Sequence, residues 1–271
     1  MADPATNLRP LLDAAACGIG AIRETMAAEA SYSVKPDGSL LSTADLRSND
    51  AVMAALARTM PGVPVHSEEA FHAGPLDRGT ILVVDPLDGT TNYTRGIPLF
   101  GVSIGLLEDG VPRYGVIAAI SGDIYFAERG RGSFHVSAGV DLAAATRLRC
   151  SSRPLAEAVL NISTDQSDAE GRRIWWRWLE QLKPPTCFRL RNIETAALEL
   201  CWLAMGRIDG YLHPKDKVWD LAAGALIAEE AGAVLHSPEF GRWSTATEGI
   251  IALVPTIVQG VSDAVGASIR R

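Results

Sequence analysis

Ile81-Leu82-Val83-Val84-Asp85-Pro86-Leu87-Asp88-Gly89-Thr90-Thr91-Asn92 is the stretch that decides the reading of this 271-residue chain. Its apolar start reads as a buried strand that ends at Asp85. Pro86 and Gly89 then turn the chain sharply. Ligand sites in α/β sheets lie where strands end. Asp85 and Asp88, three residues apart on such a turn, can point at one place, with the carbonyl of Leu87 between them. Hard oxygen ligands of this kind suit magnesium, which takes carboxylates together with water and substrate phosphate. Gly89, Thr90 and Thr91 open a turn or helix whose free N–H groups can receive a phosphate. Alone, D-P-x-D-G is equally well a plain surface turn, because its residues favour turns anyway.

Three segments further out change that balance. Ser67-Glu68-Glu69 follows the short apolar stretch Val63-Pro64-Val65. Two adjacent acids are usually solvated, but one of them can complete a metal site. Trp219-Asp220 precedes a helix that begins Leu221-Ala222-Ala223-Gly224, where Asp220 alone reads as an N-cap. The small residues after it admit a ligand or a neighbouring backbone. Thr43-Ala44-Asp45 lies at a helix start, where capping is again the default explanation.

The periodicity organises the rest. Residues 7–30 read as an amphipathic helix, with Gly18 and Gly20 as packing glycines rather than half of a nucleotide motif. Residues 35–39 form a turn, and a second helix runs from 42 or 43 to before Pro61. Strands over 80–84, 102–107, 114–119, 124–128 and 133–136 form an antiparallel meander. Beyond about residue 150 the pattern alternates: strands at 159–162, 187–190, 210–213, 234–236 and 250–254, with helices at 172–182, 195–206, 221–231 and the end. The chain thus reads as an α+β half over 1–148 and an α/β half over 149–271, forming one unit without an obvious linker. Trp175, Trp176 and Trp178 read as core or subunit interface before ligand platform.

Composition narrows the classes. A 47% hydrophobic content supports a large core, and 21% charged residues argue against broad disorder. A net charge of -7 argues against a nucleic-acid polymer as partner. Cys17, Cys150, Cys187 and Cys201 form neither CxxC nor zinc spacing, so they read as reduced, mostly buried thiols of a cytoplasmic protein. No signal peptide is indicated, and no apolar run approaches the ~20 residues of a membrane helix.

Taken in order, these motifs resemble the inositol monophosphatase superfamily of magnesium-dependent, lithium-sensitive phosphatases. Asp85–Asn92 is similar to its first signature, and Trp219–Gly224 with Glu230-Ala231-Gly232 to its second. Ser67-Glu68-Glu69 is similar to its upstream acidic motif, with Ser67 where the family usually has glycine. Gly130-Arg131-Gly132-Ser133-Phe134 also fits. The resemblance implies a layered αβαβα sandwich of the inositol monophosphatase and fructose-1,6-bisphosphatase type. It implies two or three Mg2+ ions, a small phosphorylated metabolite as substrate, and a homodimer. Glu68, Asp85 and the Leu87 carbonyl would hold one ion, and Asp85, Asp88 and Asp220 a second. Glu68 and Thr90 would position the attacking water, Asp45 would pair with Thr90, and the Gly89 and Thr90 amides would bind phosphate.

Substrate choice separates this chain from inositol-preferring members. Those show Gly, Ser or Thr, then Ala at a helix start that here reads Glu194-Thr195-Ala196. Glu194 would read a substrate hydroxyl or amine, or face solvent. His213 falls where a carboxylate often accepts sugar hydroxyls, and Lys215 and Lys217 follow it. That loop either favours a more anionic substrate or is simply solvated. The expected reaction is hydrolysis of an inositol-1-phosphate-like monoester. Histidinol phosphate, 3'-phosphoadenosine phosphate and fructose bisphosphate are the alternatives. A catalytically dead binding protein is the remote reading, opposed by the presence of every expected carboxylate. An EF-hand-like calcium module carries little weight, because Asp85 and Asp88 lack the alternating ligand spacing of that loop.

Overall fold

Leu11, Leu12, Ala15, Ile19 and Ile22 fall on one stripe of the first helix, α1 (Arg9–Met26), and all are buried. The structure, a computed structural model, describes residues 6–26, 31–35, 38–70, 74–164 and 169–266. Positions 27–30 of the expected first helix, and Pro36 and Asp37 of the expected turn, lie outside them. A short hairpin that sequence reading missed, β1 (Tyr32–Val34) and β2 (Leu40–Ser42), leads into α2 (Thr43–Thr59). Gly18 is where the two helices touch: a Cβ there would lie 2.8 Å from Ser48 Oγ and from Val52. The same reading fails for Gly20, which faces open space.

β3 (Val65–Ser67) runs parallel to β4 (Thr80–Asp88). After α3 (Thr90–Thr94) come β5 (Gly101–Glu108), β6 (Val111–Ala119), β7 (Ile124–Glu128), β8 (Gly132–Val136) and β9 (Thr146–Arg147). They form a seven-stranded sheet in sequential order, antiparallel from β4 onward. This is the expected meander, with β3 added at its edge. β4 does not end at Asp85: an irregularity carries the chain on, and Asp88 pairs again with Gly101.

The second sheet contains β10 (Val159–Ile162), β11 (Arg189–Arg191), β12 (Gly210–His213), β13 (Val234–His236) and β14 (Ile250–Leu253) in the order β11-β10-β12-β14-β13. Its helices are α4 (Ala169–Leu182), α5 (Ala196–Ala204), α6 (Val218–Glu230) and α7 (Val258–Val265). α1 and α2 cover one face of the large sheet, α5 and α6 lie between the two sheets, and α4 and α7 cover the far face of the small one. Five layers, αβαβα, result. α6 is apolar on all sides, as a helix sandwiched between sheets must be. Gly224 allows its approach to α5, since a Cβ there would meet Leu200 at 2.7 Å. The small residues after Asp220 therefore admit neighbouring elements rather than a ligand.

One further expectation needs correction. Cys17 is exposed and Cys150 half-buried, because Cys17 falls on the outer face of α1; only Cys187 and Cys201 are buried. Of the tryptophans on α4, Trp178 is fully buried in the core, but Trp176 is 64% exposed.

Candidate active site

The turn after β4 is fixed by its own chemistry. The Leu87 amide donates to Asp85 Oδ1 at 2.8 Å, and Ser48 Oγ on α2 donates to the Pro86 carbonyl at 2.6 Å. Gly89 has φ +91°, and a Cβ there would lie 2.8 Å from the Leu99 carbonyl. Only glycine suits that position. The chain then enters α3 at Thr90.

Thr90 Oγ1 donates to Asp45 Oδ1 at 2.9 Å and lies 3.1 Å from the Leu87 carbonyl. Its one proton is therefore directed inward, and its lone pairs remain as acceptors. Asp45 also caps α2: its Oδ2 accepts from the Ser42 amide at 2.8 Å and from Ser42 Oγ at 2.5 Å. The capping reading and the pairing with Thr90 both hold, one on each carboxylate oxygen.

Glu68, Asp85 and Asp220 each place a carboxylate oxygen within 4.8 Å of the others. β3 delivers Glu68, β4 Asp85 and α6 Asp220. Ser67, where the family usually has glycine, is fully buried and donates to Asn49 Oδ1 at 2.7 Å. Asp220 is the third residue of α6 rather than its N-cap, because the helix begins at Val218. From there it accepts from the Lys217 amide at 3.2 Å. Asp88 stands outside this trio. Its Oδ2 accepts from Thr195 Oγ1 and from the Ala197 amide at 3.2 Å, both at the start of α5.

Burial raises the proton affinity of Asp45, Glu68, Asp85, Asp88 and Asp220. It holds Asp85 well above the carboxylate range, aided by the charges of Glu68 and Asp88. Burial, then the Asp216 and Asp85 charges, does the same for Asp220. Asp88 is pushed by burial to about 7, against the hydrogen bond from Thr195. Burial also raises Asp45 and Glu68. Lys35 Nζ sits 2.8 Å from Glu68 and 2.7 Å from Glu69. Burial works against its charge, but the two glutamates outweigh it and hold the ammonium above its ordinary range. Converging buried oxygen donors that bind protons too tightly fit a hard divalent cation, whose charge reverses that logic.

Glu68, Asp85, Asp88 and Asp220 line a cavity of about 530 Å³ together with Gly89, Thr90, Thr195, Ala196 and His213. A similar hollow of about 560 Å³ between Arg149 and Glu230 holds none of them, so chemistry rather than volume marks the site. Glu230 instead accepts from the Gly130 and Gly132 amides, each at 2.7 Å, and ties α6 to the β7–β8 turn.

Sequence reading missed two acids. Asp216 lines the cavity, accepting from Tyr211 Oη at 3.2 Å and the Lys217 amide at 3.1 Å. Glu199, fully buried and pushed by burial to about 8, accepts from Asn161 Nδ2 at 2.8 Å and the Thr195 amide at 3.1 Å. It thereby steadies the residue that holds Asp88. An acid four places before Asp220 was a visible signal; nothing local marked Glu199.

Carboxylates gathered beside a Thr–Asp pair, on the wall of a cavity sized for a small organic phosphate, define a phosphoric monoester hydrolase. A model of the Inositol monophosphatase family matches residues 6–262, and the chain belongs to that family. An inositol-1-monophosphatase of Mycobacterium leprae is 36% identical over 224 residues, 80% of this chain and 73% of that protein. A histidinol-phosphatase of Mycobacterium tuberculosis is 36% identical over 225 residues, 80% of this chain and 83% of that protein. The extragenic suppressor protein suhB of Bartonella henselae superposes with a TM-score of 0.86 at 28% identity, covering 97% of this chain and 99% of that one. The layered sandwich is therefore the family's fold.

Proposed function

We propose that this chain hydrolyses a small phosphate monoester with magnesium, water displacing the alcohol directly. The observation that supports it most is the convergence of Glu68, Asp85 and Asp220 within 4.8 Å beside the Thr90–Asp45 hydrogen bond. Glu68, Asp85 and the Leu87 carbonyl would hold one ion, and Asp85, Asp88 and Asp220 another. Magnesium there supplies the positive charge that phosphoryl transfer requires on its oxygens.

The chain's own groups do the rest. Thr90 Oγ1, with its proton committed to Asp45, accepts a hydrogen bond from the water, and the Glu68 carboxylate accepts the other. The water oxygen is thus aimed at phosphorus. Gly89 and Thr90 amides face the phosphate. The P–O bond to the alcohol breaks as the water oxygen bonds phosphorus, giving the free alcohol and inorganic phosphate. No covalent enzyme intermediate is required.

Phosphate release from inositol 1-phosphate, histidinol phosphate, fructose 1,6-bisphosphate and 3'-phosphoadenosine 5'-phosphate, with magnesium or with EDTA, tests this. Turnover of at least one ester that stops with EDTA is expected. Metal-independent turnover, or none on any ester, would sink it. Lithium inhibition and a cytoplasmic location belong to the same reading. So does a homodimer, for which exposed Trp176 and Phe188 offer apolar surface. A concentration-independent monomer in light scattering would remove that last part. No helix among the described residues is long and apolar enough to cross a membrane.

A further inference from the structure

Glu194, His213, Lys215 and Lys217 line the cavity, whereas no residue of α2 does. α2 touches the site from its buried side instead. Asp45, Ser48 and Asn49, spaced i, i+3 and i+4, share one face of that helix and are 1%, 0% and 8% exposed. A buried polar face costs desolvation unless each group finds a partner. All three do, and each partner belongs to a different segment of the site. They are Thr90 on α3, Pro86 in the Asp85–Asp88 turn, and Ser67 at the end of β3. Only Asp45 has a part in the chemistry proposed above.

Ser48 acts on a single peptide group. The Pro86 carbonyl accepts from its Oγ at 2.6 Å, and the N–H of the same peptide, that of Leu87, donates to Asp85 Oδ1 at 2.8 Å. A planar peptide held at both ends resists rotation. Its plane holds Asp85 Oδ1 and constrains where the next carbonyl, that of Leu87, can point. Gly18 on α1 leaves room for the Ser48 hydroxyl, since a Cβ there would lie 2.8 Å from Oγ.

Asn49 acts on Glu68. β3 is the edge strand of the large sheet, three residues long and paired with β4 alone. Glu68 follows it directly, its amide donating to the Val84 carbonyl at 3.0 Å. Short segments with few ties open locally at low cost. The bond from fully buried Ser67 Oγ to Asn49 Oδ1, at 2.7 Å, gives this edge a second tie. The glycine usual in the family at position 67 has no side chain to make it.

We infer that Ser48 and Asn49 are positioning residues of this phosphatase: from α2 they hold the Pro86–Leu87 peptide and, through Ser67, the Glu68 backbone in the arrangement that receives a divalent cation. The inference rests on the metal reading proposed above. Removing groups that orient metal ligands without touching the metal costs about 10–100-fold in metal affinity.

The test titrates magnesium onto the metal-stripped full chain by calorimetry. Wild type is compared with Ser48→Ala, Ser67→Ala, Asn49→Ala and the double variant Ser67→Ala/Asn49→Ala. Thr25→Ala is the control: it removes another buried hydroxyl, whose bond to the Ala21 carbonyl stays within α1. Kd for magnesium is expected to rise roughly tenfold in each of the three single site variants and to stay unchanged in Thr25→Ala. The double variant should bind no more weakly than its weaker single parent, because the two residues share one bond. Should Ser67→Ala fail to fold, Ser67→Gly, carrying the residue usual in the family, takes its place. A role in stability alone lowers the melting temperature in EDTA and leaves Kd where it was. An unchanged Kd in Ser48→Ala or in Asn49→Ala strikes that residue, and in both it overturns the inference while the phosphatase reading stands. Equal weakening in Thr25→Ala also overturns it. A wild-type chain that binds no magnesium removes the metal reading, and this inference with it.

Discussion

Asp88→Asn is expected to reduce kcat by about 10³-fold or more, a loss of ~4 kcal/mol of transition-state stabilisation, while the fold survives. The survival follows from the contacts. Thr195 Oγ1 and the Ala197 amide donate to Asp88 Oδ2, and an asparagine oxygen can accept both. Burial already pushes the Asp88 carboxyl to about 7, so a neutral side chain is cheaper there than a charged one. The loss follows from the other oxygen, which the amide would replace with a donor facing the proposed cation. Circular dichroism and thermal melting of the metal-free variant should match or exceed wild type. Magnesium titration should show weakened binding. Near-wild-type turnover in this variant would sink the metal assignment.

The second large effect is a pH-dependent stability that magnesium reverses. A carboxyl whose folded pKa exceeds its unfolded value binds more protons when folded. Its contribution is then present at low pH and lost as pH rises through the folded pKa. For Asp88 that window runs from the unfolded value of ~4 up to about 7. For Glu199 it reaches about 8. Asp85 and Asp220 are displaced in the same direction. In EDTA, the melting temperature should therefore fall between pH 6 and pH 8. Magnesium competes with those protons, so it should stabilise more at pH 8 than at pH 6. Saturation at 100 times Kd gives ~2.7 kcal/mol, or roughly 5–10 °C at ~2–4 °C per kcal/mol for a chain of this size. Equal magnesium stabilisation at both pH values would show that the buried acids are not the ligands.

Apart from Glu199, both predictions depend on groups whose identity was legible in sequence and whose environment was not. Asp85 and Asp88 announced themselves, because a buried strand running into D-P-x-D-G is a local pattern. The meander was legible for the same reason: alternation and turn residues act over short distances. Asp45 looked like a cap and is one, yet its second oxygen meets Thr90, which a pattern at one helix start cannot reveal.

Glu199 is the clearest case of what was hidden. Within its helix it is one more polar residue between leucines. Only packing of α5 against β10 buries it, and the Thr195 it steadies reaches Asp88 across 107 positions of chain. Asp216 was visible, but its place on the cavity wall depends on Tyr211 and on the entry of α6. The two lysines beside it line the same cavity, and Lys217 also lies 3.6 Å from Glu248.

By itself, then, the sequence determined the family, the order of strands and helices, and the acids available for a cation, since these rest on local spacing and periodicity. Tertiary structure alone decided which acids converge and which are buried deeply enough to bind protons more tightly. Those properties depend on the distance between segments remote in the chain and on the exclusion of water between them, and neither is written in local order.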